Sequence, residues 1–268
     1  MYETTYHRPT SLESAVALIG ESGGESKFLS GGQTLIPTMK QRLAAPSALV
    51  DLRHVPELQG IDVNGRSIRI GGATTHAEVA RHEGIKAVCP GFSELAGLIG
   101  DPAVRHLGTL GGSVANNDPA ADYPAAMLAL GATIHTNRRE IAAQDFFAGL
   151  FETALEEDEI VVAASFEAPD RCGYEKFRNP ASRYAMCGVF VARRGSEVKV
   201  GVTGAGSDGV FRWEAAEQAL SANFGGAALE GLAVDAGMMM SDLHGTSAYR
   251  ANLVKVVTKR AVAKAAAH

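Results

Sequence analysis

Leu12, Ala15, Val16 and Ile19 recur at helical spacing, and Thr10 with Glu13 forms capping-box spacing ahead of them. This predicts an amphipathic helix closed by Gly23-Gly24. Residues 27–29 predict a short strand running into Ser30-Gly31-Gly32-Gln33-Thr34. Residues 35–43 predict a helix, with Pro37 in its first turn, where a missing N–H is tolerated. Residues 48–52 predict a buried strand. Strand, glycine turn, helix and strand together make a small parallel α/β unit.

From Gly60 the rhythm changes. Ile61-Asp62-Val63 and Ser67-Ile68-Arg69-Ile70 flank Asn64-Gly65, a strong hairpin signal. Thr75 and Glu78 have capping-box spacing for a helix that stops near Gly84, and residues 91–98 predict another. A second glycine segment, Thr109-Leu110-Gly111-Gly112-Ser113-Val114-Ala115, follows Asp101-Pro102. Asp122 is placed to cap a helix over 123–130, which Gly131 closes. Residues 132–136 and 160–166 predict strands, and Ala168-Pro169-Asp170 marks a boundary. Beyond it come strands over 184–193 and 197–202, then helices over 214–220, 226–240 and 247–266. The expected architecture is α+β. A two-part domain over 1–170 combines the parallel unit with a mixed or antiparallel sheet and helices, and a smaller α+β domain follows over 171–268.

The charge balance narrows the function. The chain has 268 residues, with 25 Lys+Arg against 30 Asp+Glu and a net charge of −5, which argues against a general nucleic-acid binder. Its 46% apolar and 21% charged composition excludes a largely disordered chain. Cys89, Cys172 and Cys187 are odd in number and far apart, so neither a disulfide framework nor a zinc site is expected. Iron–sulfur clusters normally take four cysteines, so none is expected here. The first residues lack the apolar core of a signal peptide, and the most apolar stretch, 125–134, is far short of the roughly 20 residues that cross a bilayer. A cytoplasmic protein without a membrane span is the expectation.

The candidate chemistry lies in the two glycine segments. Each sets a Gly-Gly pair beside hydroxyl residues near a helix start, where backbone N–H groups can approach a phosphate. Neither has the Lys-Ser/Thr of a P-loop. Either alone reads first as an ordinary turn, whereas the two together point to one shared diphosphate. Gly204-Ala205-Gly206-Ser207-Asp208-Gly209 matches a dinucleotide fingerprint in letters. The following Val210-Phe211-Arg212-Trp213 is not a helix start, so a hairpin loop is expected there.

These segments resemble the FAD-binding medium subunits of the molybdenum hydroxylases, a family that includes the flavin-binding parts of carbon monoxide and xanthine dehydrogenases. Ser30-Gly31-Gly32-Gln33-Thr34-Leu35 is similar to the family's Ala-Gly-Gly-Gln-Ser-Leu. The run from Val104 through Arg105, His106 and Thr109 to Ala115 is similar to its second motif. Asp118-Pro119-Ala120-Ala121-Asp122-Tyr123-Pro124, Met39-Lys40-x-Arg42, Gly72-Ala73-x-Thr75 and Tyr174-x-Lys176 extend the likeness from about residue 5 to the C-terminal helices. Ser30 and Thr34 replace the usual Ala and Ser, while His106 and Ser113 stand where Asn is common.

The resemblance implies FAD, with its diphosphate held by backbone N–H groups of both glycine segments. It assigns side-chain hydrogen bonds to Gln33, Thr34, Thr109 and Ser113, and a ribityl contact to Asp122, a role compatible with helix capping. Lys176 and Tyr184 are placed near the isoalloxazine, although Tyr184 reads equally as an exposed strand aromatic. It further implies a molybdenum-cofactor large subunit, a [2Fe–2S] small subunit and an external electron acceptor. A self-sufficient flavin oxidase or reductase, and a non-catalytic nucleotide-binding scaffold, remain as alternatives. His76 is assigned to packing or surface, Glu156 to Glu159 to a solvated turn, and the basic C-terminal helix to solvent and dipole.

Overall fold

A computed structural model of the chain describes residues 2–21 and 25–267. Strands β1 (Thr5–His7), β2 (Ser26–Leu29) and β3 (Ala48–Asp51) form a parallel sheet in the order β1-β3-β2. The Leu12–Glu21 helix crosses from β1 toward β2 and buries Ala15 and Ile19. Its cap is Ser11 rather than Thr10, with Ser11 Oγ accepting from Ser14 N–H at 3.2 Å. The expected closing pair Gly23-Gly24 lies outside the described residues. The predicted helix over 35–43 ends early, at Lys40, and Arg42 then turns left-handed at φ 63°.

The second sheet is antiparallel. It comprises β4 (Ile61–Asn64), β5 (Ser67–Gly71), β6 (Thr133–Thr136), β7 (Glu140–Ala142) and, after a ribbon of β8 (Phe147–Gly149) and β9 (Glu152–Thr153), β10 (Val161–Glu167). Its order is β4-β5-β10-β6-β7. The Asn64-Gly65 hairpin has the expected register, with Asn64 opposite Ser67 and Ile61 opposite Ile70. The Thr75–Glu78 capping box is complete, but the helix it starts stops at Arg81. His82 then caps a second helix, Glu83–Val88, so Gly84 lies inside a helix instead of ending one. Ile68, Ile70, Phe92, Leu95 and Phe166 fill the core between this sheet and its helices. Each such side chain contributes roughly 1.5–3 kcal/mol by leaving water.

The Tyr123–Leu130 helix is buried nearly all round, with only Leu128 partly exposed, which explains its almost wholly apolar sequence. It packs on the third sheet, made of β11 (Arg171–Arg178), β12 (Ala185–Arg194), β13 (Glu197–Thr203) and β14 (Phe211–Arg212) in chain order. Gly204 to Gly209 forms the loop joining antiparallel β13 and β14, as expected for a hairpin connection. The Ser247–Ala267 helix covers β11 and β12 with Leu253, Val254, Val257 and Ala261.

Three basic residues of that helix are anchored, while Arg260 stays exposed as expected. Arg250 is buried and donates to Met186 O at 2.9 Å and Gly204 O at 2.7 Å, while pairing with Asp242. Lys264 pairs with Glu94 and with Glu175, and Lys259 pairs with Glu230. The predicted helix over 226–240 is replaced by two short 3-10 turns, Gly226–Leu229 and Ala236–Met238. Gly231 and Gly237 interrupt the apolar run, and Asp235 caps the second turn. Among the described residues no helix is long and apolar enough to cross a membrane.

Candidate functional site

The Ser30–Thr34 loop leaves the carboxyl end of β2, the edge where parallel sheets present their ligand crevices. Gly32 takes the left-handed region at φ +69°, which turns successive amides the same way. The N–H groups of Gly31, Gly32, Gln33 and Thr34 have no acceptor among the described residues. Four consecutive open donors form a concavity suited to an anion. The Gln33 amide group folds back onto Gly31 O at 3.1 Å, and Leu35 opens the following helix.

This loop lies directly on the second glycine segment. A Cβ at Gly31 would stand 2.5 Å from Gly108 Cα, so only glycine allows the contact. The Ser30 and Thr109 hydroxyls are hydrogen-bonded at 2.7 Å. The structure thus brings the two segments together.

They are not equivalent, however. Gly111-Gly112 lies within the Leu110–Asn116 helix, and its amides are engaged. Leu110 N–H donates to Thr74 O at 3.0 Å, and Gly111 N–H to Gly72 O at 2.8 Å. Gly112 N–H donates to Thr109 Oγ1 at 3.1 Å, and Ser113 N–H to Thr109 O at 3.1 Å. Gly111 is required by packing, because a Cβ there would meet Gly72 O at 2.7 Å. The expectation of open amides in both segments therefore holds for the first only; the second supplies a wall and hydroxyl groups.

The opposite wall is built on β11. Asp122 accepts from the Tyr174 hydroxyl and, at 2.9 Å, from the Lys176 ammonium. The Asp122 and Lys176 side chains are only 5% and 1% exposed. Burial raises the Asp122 carboxyl above its ordinary range, while Lys176 and Tyr174 pull the other way. Asp122 does not cap the Tyr123–Leu130 helix: its side chain makes no cap hydrogen bond and is held by β11 instead. Lys176 was not marked as part of a strand by its sequence, and its burial depends on this partner.

Tyr184 stands just before β12, on a turn organised by Asn179. Asn179 Oδ1 accepts from Ala181 and Ser182, and Arg183 adopts φ 63°. Tyr184 is 50% exposed and, with Asp118 and Ser182, lines both the main cleft and a smaller cavity of about 220 Å³.

Several residues that line the cleft are not among those the sequence assigns to it, although His76 takes the packing role expected of it. His76 is buried, its Nδ1 has no partner, and its ring lies 5.4 Å from that of Tyr123. Burial, aided by the nearby Arg105 charge, pushes the imidazole down to about 4, so it is neutral near pH 7. The capping box announced its position in the helix, but no local signal announced Tyr123. Asp118 accepts from Ala120 N–H at 2.8 Å, and burial raises its carboxyl. Glu159 is buried and not part of a solvated turn: Arg139 binds both its oxygens, at 3.0 and 2.9 Å. Arg139, with the Thr136 hydroxyl, holds it at about 2. The sequence signal was the Arg138-Arg139 pair facing the acidic run.

All the residues singled out from the sequence, from Ser30 through Leu35, Thr109, Gly111 to Ser113, Asp122, Lys176 and Tyr184, line one cleft of about 910 Å³. That volume lies at the upper end of the roughly 300–1,000 Å³ typical of small-molecule sites. The open amides and the size of the cleft both fit a large diphosphate cofactor.

Comparison with known proteins agrees. Residues 2–166 match the family described as "FAD binding domain in molybdopterin dehydrogenase". The chain is 34% identical to the carbon monoxide dehydrogenase medium chain of Afipia carboxidovorans, over 98% of this chain and 96% of that one. It is 33% identical to the nicotine 6-hydroxylase medium subunit of Paenarthrobacter nicotinovorans, over 98% and 97%. Among solved structures, carbon monoxide dehydrogenase from Hydrogenophaga pseudoflava superposes with a TM-score of 0.88 at 32% identity, covering 99% of this chain and 98% of that one. With a family match over more than half its length and full-length relatives at this identity, the chain belongs to the FAD-binding subunits of the molybdopterin dehydrogenases, a family of oxidoreductases.

Proposed function

We propose that this chain is the electron-transfer flavoprotein subunit of a cytoplasmic molybdenum hydroxylase. It takes electrons from [2Fe–2S] clusters in a small partner subunit and passes them to an external acceptor, while a large subunit carries the molybdenum cofactor and oxidises the substrate. The family match and the "medium chain" and "medium subunit" names of its relatives support this division. So does a cysteine set of three, too few for a cluster of its own.

The observation that carries the reading is the run of four open amides, Gly31 to Thr34, joined to Thr109 through Ser30 in one cleft. These amides hold the FAD diphosphate, with Ser30, Gln33, Thr34, Thr109 and Ser113 adding side-chain polar groups and Gly111 and Gly112 leaving room for it. Leu35 packs beside the diphosphate. Asp122 and Lys176 face the ribityl and ring end, where Tyr184 shields the isoalloxazine from solvent. FAD, when bound, supplies the redox chemistry by collecting single electrons and releasing pairs. The chain's residues bind and orient it, and none is assigned a catalytic role. In this reading the FAD-binding domain spans 1–170 and an α+β domain spans 171–268, a division supported by the first two sheets ending at Glu167 and the third beginning at Arg171.

Two measurements test it. The purified chain should take up one equivalent of FAD, and affinity capture from its native host should retain molybdenum and iron. A chain that refuses FAD, or whose flavin a small substrate reduces without partners, overturns the reading.

A further inference from the structure

Cys89 and Cys172 are 83 positions apart, yet their sulfurs lie 3.6 Å from each other in the buried core. Cys89 precedes the Pro90–Gly97 helix, and Cys172 lies on β11, against which that helix packs. The two thiols are hydrogen-bonded, and either sulfur can donate. That hydrogen bond, with the Gly91 and Phe92 N–H groups at the helix start, holds the Cys172 thiol below its usual range, while the same bond and burial push Cys89 up. Arg194, whose Nε is buried without a partner, adds positive potential near Cys89. The third cysteine offers a contrast, because Cys187 is buried with its thiol pushed up to about 12.

We propose that Cys89 and Cys172 form a redox-modification site, a dithiol that hydrogen peroxide converts to an intrachain disulfide. The Cys172 thiolate attacks one peroxide oxygen, the O–O bond breaks, and the departing hydroxide takes a proton to become water. Cys172 is then a sulfenic acid. Cys89 sulfur attacks it, the S–S bond forms, the S–O bond breaks, and the released hydroxide takes the Cys89 proton as a second water. Two thiols lose two electrons and peroxide gains them. The proposal is independent of the flavin reading.

The site is connected to the cleft. Cys172, Tyr174 and Lys176 alternate along β11 and share one face, and the latter two hold Asp122. A disulfide at the start of that face pins the helix to the strand forming the cleft wall.

The test uses the full, reduced chain exposed to hydrogen peroxide, quenched with catalase, alkylated in denaturant and mapped by mass spectrometry. The expected product joins the Cys89 and Cys172 peptides with the loss of two hydrogens. It should accumulate at least tenfold faster than any modification of Cys187 and be reversed by dithiothreitol. In Cys89→Ala, Cys172 should instead take a dimedone label. Equal reactivity of all three thiols, a sulfinic acid in place of the cross-link, or a Cys172 that takes no label in that variant would overturn the proposal. The wild-type comparison with Cys187 stands even if the variant does not fold.

Discussion

Ser30 and Thr109, 79 positions apart, join hydroxyl to hydroxyl at 2.7 Å and bind the open-amide loop to the Leu110–Asn116 helix. Thr109 also caps that helix by accepting from Gly112 N–H, so one oxygen serves two elements.

Thr109→Val removes the cap and the Ser30 contact together. It should lower stability by about 1–2 kcal/mol. Thr109→Ser keeps the oxygen and should recover most of it. Urea denaturation of both variants checks this, and equal losses would show that the hydroxyl is not the stabilising group.

Gly31→Ala places a methyl group against Gly108 Cα, where 2.5 Å is available. The two segments must separate, and FAD should bind at least tenfold more weakly, about 1.4 kcal/mol. Gly112→Val acts from the other side, since its Cβ would lie 2.9 Å from Thr109 Oγ1 and 3.4 Å from Ser30 Cβ. Fluorescence titration with FAD, alongside far-UV circular dichroism, separates lost affinity from lost fold. Unchanged affinity in both variants would place the diphosphate elsewhere.

Lys176→Met strands the Asp122 carboxylate without its counter-charge. The expected loss is roughly 3–5 kcal/mol at pH 7. Burial then raises the folded carboxyl above its unfolded value, so the loss should shrink as the pH falls and Asp122 takes a proton. Adding Asp122→Asn should restore much of the stability at pH 7. Denaturation of the single and double variants at pH 7 and pH 5 tests both statements.

His76 governs a different pH window. Its folded value of about 4 lies below the ordinary 6.5, so between these values the unfolded chain binds the extra proton. Stability contributed by the neutral ring is present above 6.5 and lost as the pH falls toward 4. At about 1.4 kcal/mol per pH unit, the loss over that span is roughly 3 kcal/mol. His76→Gln should flatten the wild-type slope between pH 6.5 and 4.5. An unchanged slope would assign it to other groups.

Local rules revealed what local forces decide. The Asn64-Gly65 hairpin and the Thr75–Glu78 box were legible because turn chemistry and capping act over a few residues, and the glycine segments because two like motifs pointed to one ligand. Strand β11 was not legible, because Lys176 enters the interior only by pairing with Asp122, 54 positions earlier. Gly111 read as a turn residue, yet it sits in a helix for the sake of Gly72, a neighbour in space alone. Glu159 looked solvated until Arg139 folded against it. In each case the deciding partner came from a distant part of the chain.

The contact between Gly31 and Gly108 is main chain on main chain. Its shape is written in missing side chains, so a single added carbon at Gly31 cannot be absorbed, because it would meet backbone that has nowhere to give. Engineering a new specificity into this scaffold should therefore leave those bare positions alone and work on the rim, where Tyr184 and its neighbours have space to change.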